Sequence, residues 1–321
     1  IGMVNGIEGF LADHTIDMAP LKENGELERI RTTPGSYLGS CRYKLPEDLS
    51  DPVYPELFQK FTEKEISYFF YIGGNDSMDT VSKLSRYAAT VGSDIRIIGV
   101  PKTIDNDLVL TDHTPGYGSA AKYVASTVRE IAIDASVYDN KPSVTIVEIM
   151  GRNAGWLVGA AALSKGEDCD GPDLIYVPEL PFDIDNFLVR IKELLTEKTF
   201  VVVAVSEGIR LADGRYVCEL TDGVDFVDAF GHKQLTGTAN YLARRLAQEI
   251  GCKTRTIELS SMQRAASHLA SRIDILEAFQ VGGAAVKAAD EGDTGEMVII
   301  KRLSDDPYQS TTDLRNVHKV S

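Results

Sequence analysis

The chain has 321 residues, 43% apolar and 25% charged, with 48 acidic against 33 basic groups for a net charge of −15. These are the proportions of a folded globular protein of about two domains, at roughly 150 residues each, and they exclude disordered, collagen-like and coiled-coil classes. The acidic field would repel a polyanion, so nucleic acid is not an expected partner, while a small phosphorylated ligand held by a few convergent arginines stays open.

In chain order, short apolar runs closed by glycine, proline or an acidic residue predict buried strands at 66–72, 95–100, 144–150, 174–177, 200–205 and 297–300. Helical periodicity fills the gaps. Met78, Val81, Leu84, Tyr87, Ala88 and Val91 share one face, the segment 119–136 reads as a helix, and Phe187, Leu188, Ile191, Leu194 and Leu195 share another face. Alternating strand and helix predicts an α/β fold with mainly parallel sheets. No proline- or serine-rich tether separates two halves, so two domains must share crossovers, with a switch expected near Gly116. The most apolar run, 199–205, is strand-sized, well short of the about 18 residues of a spanning helix, so no membrane association is expected. Cys41, Cys169, Cys218 and Cys252 form no C-x-x-C pair, which predicts a reduced, cytoplasmic protein whose metal chemistry, if any, uses carboxylates.

In an open parallel sheet ligands sit beyond the carboxyl ends of the strands, and four segments placed there are unusually polar. Gly73-Gly74-Asn75-Asp76-Ser77 opens a helix, where two glycines and the helix N-terminus suit an anion or its magnesium; the alternative is a plain turn with an N-cap. Pro101-Lys102-Thr103-Ile104-Asp105-Asn106-Asp107 packs a cation, a hydroxyl and two carboxylates into one loop. If that loop is extended, Asp105 and Asp107 point the same way and divide a base and a metal ligand between them; otherwise it is a solvated acidic turn. Glu148-Ile149-Met150-Gly151-Arg152-Asn153-Ala154-Gly155 offers a close backbone approach at Gly151 and a bidentate fork at Arg152 for a polyol or phosphate. Glu207, at a strand end, with Arg255 and Arg264 further on, completes the set, although each alone is more often a surface residue. The phosphate loop, the dinucleotide fingerprint and the serine-hydrolase elbow are all missing from the sequence.

Taken in order, Pro-Lys-Thr-Ile-Asp-Asn-Asp, Met-Gly-Arg-Asn-Ala-Gly-Trp and Met-Gln-Arg resemble the phosphofructokinase family, from Asn5-Gly6 to about Val298. The resemblance implies two similar three-layer α/β domains with the active site in the cleft between them. A phosphoryl-donor domain would take 1–116 with about 255–288, and a fructose 6-phosphate domain 117–254 with about 289–321; the family's glycine-rich first strand and loop would lie ahead of Ile1. It implies Asp105 as the base on the sugar 1-hydroxyl, with Thr103 beside the transferred phosphoryl group and Lys102 and Arg42 neutralising it. Gly73, Gly74, Asp76, Ser77 and Lys102 would bind the donor, and Asp107 with Asn75 would hold Mg2+. Thr103, Asp105, Met150, Gly151, Arg152 and Glu207 would hold the sugar, and Arg255 and Arg264 its 6-phosphate. Arg255 is expected to reach a neighbouring subunit, which makes a homodimer the smallest complete unit.

Two positions bear on the donor. Asp76 and Lys102 stand where ATP-using members resemble a glycine at each place, and both replacements resemble the pyrophosphate-dependent branch. A carboxylate at Asp76 would crowd and repel a nucleotide, whereas the Lys102 ammonium can neutralise a pyrophosphate that has no adenosine to anchor it. The string His113–Tyr123 and the string 228–235 resemble the same branch. The expected reaction is reversible phosphoryl transfer from pyrophosphate to fructose 6-phosphate; the rivals are a non-catalytic regulatory subunit and an ATP-dependent kinase. Departures from the family pattern are Asn75, where a metal-binding aspartate is more common, Ser143 for an intersubunit basic residue, and Ser261 for a sugar-contacting histidine.

Overall fold

The computed structural model describes residues 1–137, 140–220 and 237–320; the string 228–235 lies outside them. The chain divides into two compact units, Ile1–Gly118 with Ser271–Ser321, and Ser119–Ala270.

The first unit opens with a small antiparallel pair, β1 (Gly2–Met3) and β2 (Thr15–Ile16), around α1 (Gly6–Leu11), followed by the short α2 (Ala19–Glu23) and α3 (Glu26–Ile30). Then come α4 (Val53–Glu63), β3 (Tyr68–Gly73), α5 (Asn75–Val91) and β4 (Arg96–Pro101), and α6 (Tyr117–Ser136) carries the chain out of the unit. The second unit adds β5 (Ser143–Ile149), α7 (Trp156–Ala160), β6 (Leu174–Tyr176), α8 (Ile184–Glu197), β7 (Phe200–Ser206), α9 (Thr238–Glu249), β8 (Lys253–Glu258) and α10 (Met262–Ala265). The return to the first unit brings α11 (Arg272–Glu291), β9 (Glu296–Asp305) and β10 (Tyr308–Asn316).

In the first unit the sheet order is β10-β9-β4-β3, parallel from β9 to β3 with β10 antiparallel on one edge. Alternate side chains go to opposite layers. Ile97, Met297 and Ile299 pack with Ile7, Phe10, Leu57, Phe61, Val81 and Leu84 under α1, α4 and α5. Ile98, Val298 and Ile300 face the other way, against Val281, Ala285, Ala288 and Ala289 of α11. Small residues on α11 let that helix lie close to the strands, and its end is set by Gly292 at φ 100°, a conformation that favours glycine.

The second sheet, β6-β7-β5-β8, is parallel throughout. Its central strands are buried on both faces, which is why they read as unbroken apolar runs. Val144, Ile146, Val201, Val203 and Val205 meet Phe187, Ile191, Leu242 and Leu246 of α8 and α9. On the other face Gly171 sits between Ala132 of α6 and Val202 of β7, leaving no room for a side chain. Asp183 starts α8 by accepting a hydrogen bond from the Asn186 amide at 3.0 Å.

The expected switch near Gly116 falls two residues before the observed one, but the other boundaries differ. The chain returns at Ser271, so β8 and α10 belong to the second unit, and 289–321 belongs to the first, the reverse of the expected partition. The reason is pairing: β8 lies along β5 with Arg255 opposite Thr145, whereas β9 lies along β4 with Ile98 opposite Glu296.

Candidate active site

β3 and β4 run parallel and end level, Gly73 opposite Pro101. The two turns that follow therefore leave the sheet side by side, and the Lys102 amide donates to the Gly73 carbonyl at 2.9 Å. Gly73 is required by space: a Cβ there would stand 2.0 Å from the Ser77 hydroxyl. Gly74 lies against Thr103, with room for no more than ordinary contact at 3.5 Å. Asp76 falls in the first turn of α5, where its charge meets the positive end of the helix and competes with any anion drawn there. Asp76 and Lys102 are both exposed.

The loop from Lys102 onward is bent, not extended. Asn106 adopts φ 54°, so the alternation expected to align Asp105 with Asp107 does not apply. The turn is instead held by hydrogen bonds. The Thr103 hydroxyl accepts from the Asp105 amide at 3.1 Å, and the Thr114 amide donates to the Asn106 side-chain carbonyl at 2.9 Å. The Thr114 hydroxyl donates to the Thr103 carbonyl at 2.7 Å. Across to the first turn, the Asn75 amide donates to Asp107 at 2.6 Å, a bond that joins the two segments expected to share a metal. Burial pushes the Asp107 carboxyl above its ordinary range and Asp76 adds to that, with the Asn75 bond partly offsetting them.

One half-buried carboxylate with a neighbouring amide cannot cage a metal alone, and no group of three or more His, Cys, Asp or Glu side chains gathers to do so among the described residues. The set does fit a hard cation such as magnesium, which keeps several waters and takes further oxygens from bound phosphates. Arg42 is placed through its neighbour: Cys41 lies 3.6 Å from the Tyr71 hydroxyl, on β3 two residues before Gly73. The Asn5 amide side chain donates to the Ser40 carbonyl at 3.0 Å, which fixes the same segment from the other side.

In the second unit the turn after β5 is locked to the end of β7. Buried Ser206 donates to the Gly151 carbonyl at 2.6 Å and accepts from the Gly208 amide at 3.0 Å. The Gly151 amide points to Glu207 at 3.5 Å, and a Cβ on Gly208 would stand 2.0 Å from the Arg152 carbonyl. Met150, Gly151, Arg152 and Glu207 are thus brought together as expected. Arg255 lies mid-strand on β8, an edge of the sheet, and pairs with Asp134 of α6 at 2.9 Å. Arg264 is exposed on the four-residue α10.

Glu148 opens the polar segment 148–155, but the sequence assigns it no role of its own. It is 5% exposed, accepts from the Ala239 amide at 2.8 Å, and so ties β5 to the start of α9. Burial, with Glu258 and Glu207 nearby, pushes its carboxyl up to about 7. The signal was a lone carboxylate inside the apolar run 144–150.

The family model described as Phosphofructokinase matches residues 1–289. The pyrophosphate–fructose 6-phosphate 1-phosphotransferase of Xanthomonas campestris pv. campestris is 42% identical over 320 residues, 99% of this chain and 75% of that protein. The protein of the same name from Halomonas elongata is 40% identical over 311 residues, 96% of this chain and 73% of that one. The crystal structure of a pyrophosphate-dependent phosphofructokinase from Marinobacter aquaeolei superposes with a TM-score of 0.86 at 35% identity, covering 99% of this chain and 74% of that one.

Glu148 makes a testable pH signature. An acid whose folded pKa is raised contributes stability that is full below its unfolded value, near 4.5, and is lost as pH rises through about 7. Glu148→Gln keeps an acceptor for Ala239 and removes the titration, so wild-type stability should fall relative to the variant between those two values. Parallel urea-unfolding profiles across that range would show that Glu148 titrates normally.

Proposed function

The chain belongs to the phosphofructokinase family, and we propose from that premise that it transfers a phosphoryl group reversibly from pyrophosphate to the 1-hydroxyl of fructose 6-phosphate. The observation that carries the donor assignment is the pair Asp76 and Lys102, exposed on two turns that leave β3 and β4 together. A carboxylate at the N-terminus of α5 disfavours the extra phosphate and adenosine of a nucleotide, and an ammonium on the adjacent turn favours the compact, highly charged alternative.

In this reading the first unit handles the donor and the proton. Phosphoryl transfer passes through a loose transition state in which positioning and charge neutralisation do most of the work. Lys102 and Arg42 neutralise the oxygens in flight, and Gly73, Gly74 and Ser77 offer backbone and hydroxyl donors. Asp105, oriented by the Thr103 hydroxyl through its own amide, takes the proton from the sugar 1-hydroxyl. Asp107, steadied by Asn75, would hold Mg2+, which when bound to pyrophosphate neutralises the charge shared between its two phosphates. The second unit recognises the sugar: Glu207 and the Gly151 backbone bind hydroxyls, Met150 packs on the ring, and Arg152 and Arg264 supply positive charge. The cytoplasmic location belongs to the same reading.

Arg255, on an edge strand and paired with Asp134, is assigned to the 6-phosphate of a neighbouring copy, which makes a homodimer or larger assembly the active form. Sedimentation should find activity only in dimers or above, and a fully active monomer would contradict the assignment.

Asp105→Ser should lower turnover by at least about 10²-fold, as loss of a general base does, while leaving fructose 6-phosphate binding nearly intact; an unchanged rate would remove Asp105 from the mechanism. Asp76→Gly with Lys102→Gly should open room for nucleotide and raise ATP use relative to pyrophosphate. No gain with ATP would show that donor choice lies elsewhere.

A further inference from the structure

The loop that carries Asp105 leaves β4 at Pro101 and returns to α6 at Tyr117, and its return limb is tied to β9 and α11. Near its far end the Asp112 amide donates to the Ile300 carbonyl at 2.9 Å, and the Ile300 amide donates to the Thr111 hydroxyl at 3.0 Å. At its near end the Gly116 amide donates to Asp274 of α11 at 2.7 Å. Between these lies His113. Its Nδ1 is 2.8 Å from Asp112 and its Nε2 is 2.7 Å from Glu277 of α11.

A histidine with a carboxylate on each ring nitrogen can satisfy both only by donating from both, which requires the imidazolium. Glu277 is 3% exposed and also accepts from Ser310 at 2.6 Å and from the Tyr308 hydroxyl of β10. Arg302 of β9 binds Asp112 at 3.0 Å and lies 5.5 Å from the Tyr308 ring centre. Burial alone would lower the His113 pKa; the bonds to Glu277 and Asp112 outweigh it and raise it. A buried charge pair held by further hydrogen bonds is costly to break, because loss of one partner strands the other.

The next residue transmits this hold to the site. Thr114 bonds Thr103 through its hydroxyl and Asn106 through its amide, and those two residues flank Asp105. We propose that His113 is a positioning residue: clasped between Asp112 and Glu277, it fixes the return limb so that Thr114 holds Asp105 in the geometry for proton removal. The inference rests on the assignment of Asp105 as the base. Among the described residues no bond joins Asp112, His113 or Glu277 to the Gly73–Ser77 turn or to the Gly151–Glu207 cluster, so the effect is on the rate of the chemical step and not on sugar binding.

The test uses His113→Gln, Glu277→Gln and the double variant in the full chain, with two readouts: steady-state kinetics with fructose 6-phosphate and pyrophosphate, and amide hydrogen exchange at Thr103 and Thr114. The expected result for His113→Gln is a fall in kcat of roughly 10- to 100-fold, the range a displacement of about 1 Å produces, with KM for fructose 6-phosphate within about twofold. Thr103 and Thr114 should exchange faster while the β5 and β7 amides do not. The double variant should lose no more than the worse single one, because both act through one contact. Unchanged kcat in folded His113→Gln, or kcat and KM moving together with protection lost throughout, would overturn the proposal. If the wild-type chain is silent with both substrates the assignment of function fails instead, and the exchange at Thr103 and Thr114 alone then decides the clasp.

Discussion

Everything at the donor turns depends on the parallel pairing of β3 with β4, which ends level at Gly73 and Pro101. Had the register slipped by one residue, alternate side chains would change faces and the two turns would part. With the register as it is, Gly74 rests on Thr103, and Asn75 reaches Asp107 at 2.6 Å. Three carboxylates, Asp76, Asp105 and Asp107, follow these two strands within seven residues of their ends in a chain of net charge −15. Like charges repel, and only cations can offset that repulsion. Lys102 lies on the same turn as Asp105 and Asp107, and Arg42 follows Cys41, which is held against Tyr71. The Asp107 carboxyl, raised by burial, is the group that a hard cation would relieve most.

The second unit solves the same problem of a turn beyond a strand in a different way. Ser206, fully buried, stitches the Gly151 turn to the end of β7, and Glu148 stitches β5 to α9. The Thr238 hydroxyl adds a bond to the Glu207 carbonyl at 3.1 Å, so the start of α9 is tied to both central strands. Each stitch uses a polar side chain buried among apolar neighbours, where an unmade bond would cost about 1–3 kcal/mol. Ser206, Glu148 and Thr238 thus hold the segments around Gly151 from behind, beside the Gly151–Glu207 contact itself.

Much of this was legible in the sequence, for physical reasons. Strands buried on both faces have to be apolar throughout, so β4, β5 and β7 appear as runs, and the glycine that closes β3 marks where backbone must come close. β8, Lys253-Thr254-Arg255-Thr256-Ile257-Glu258, and β10, with Gln309, Ser310 and Asp313, are edge strands with one side toward water, and their polar patterns concealed them. Those two strands place 255–270 in the second unit and 289–321 in the first, where the expected partition had them the other way round. The bend at Asn106 was hidden because an extended loop was assumed, although asparagine is among the residues that tolerate a positive φ. Asp274 and Glu277 carry no local mark at all; they matter because α11 brings them to a loop some 160 residues earlier, at Gly116 and His113.

The most direct measurement is a comparison of donors with the natural full-length protein: fructose 6-phosphate and magnesium with either pyrophosphate or ATP, following fructose 1,6-bisphosphate. The account predicts turnover with pyrophosphate and none with ATP, and the reverse reaction from fructose 1,6-bisphosphate and phosphate at a comparable rate. Turnover with ATP alone would contradict the reading of Asp76 and Lys102, and silence with both donors would contradict the assignment of Asp105 as a working base.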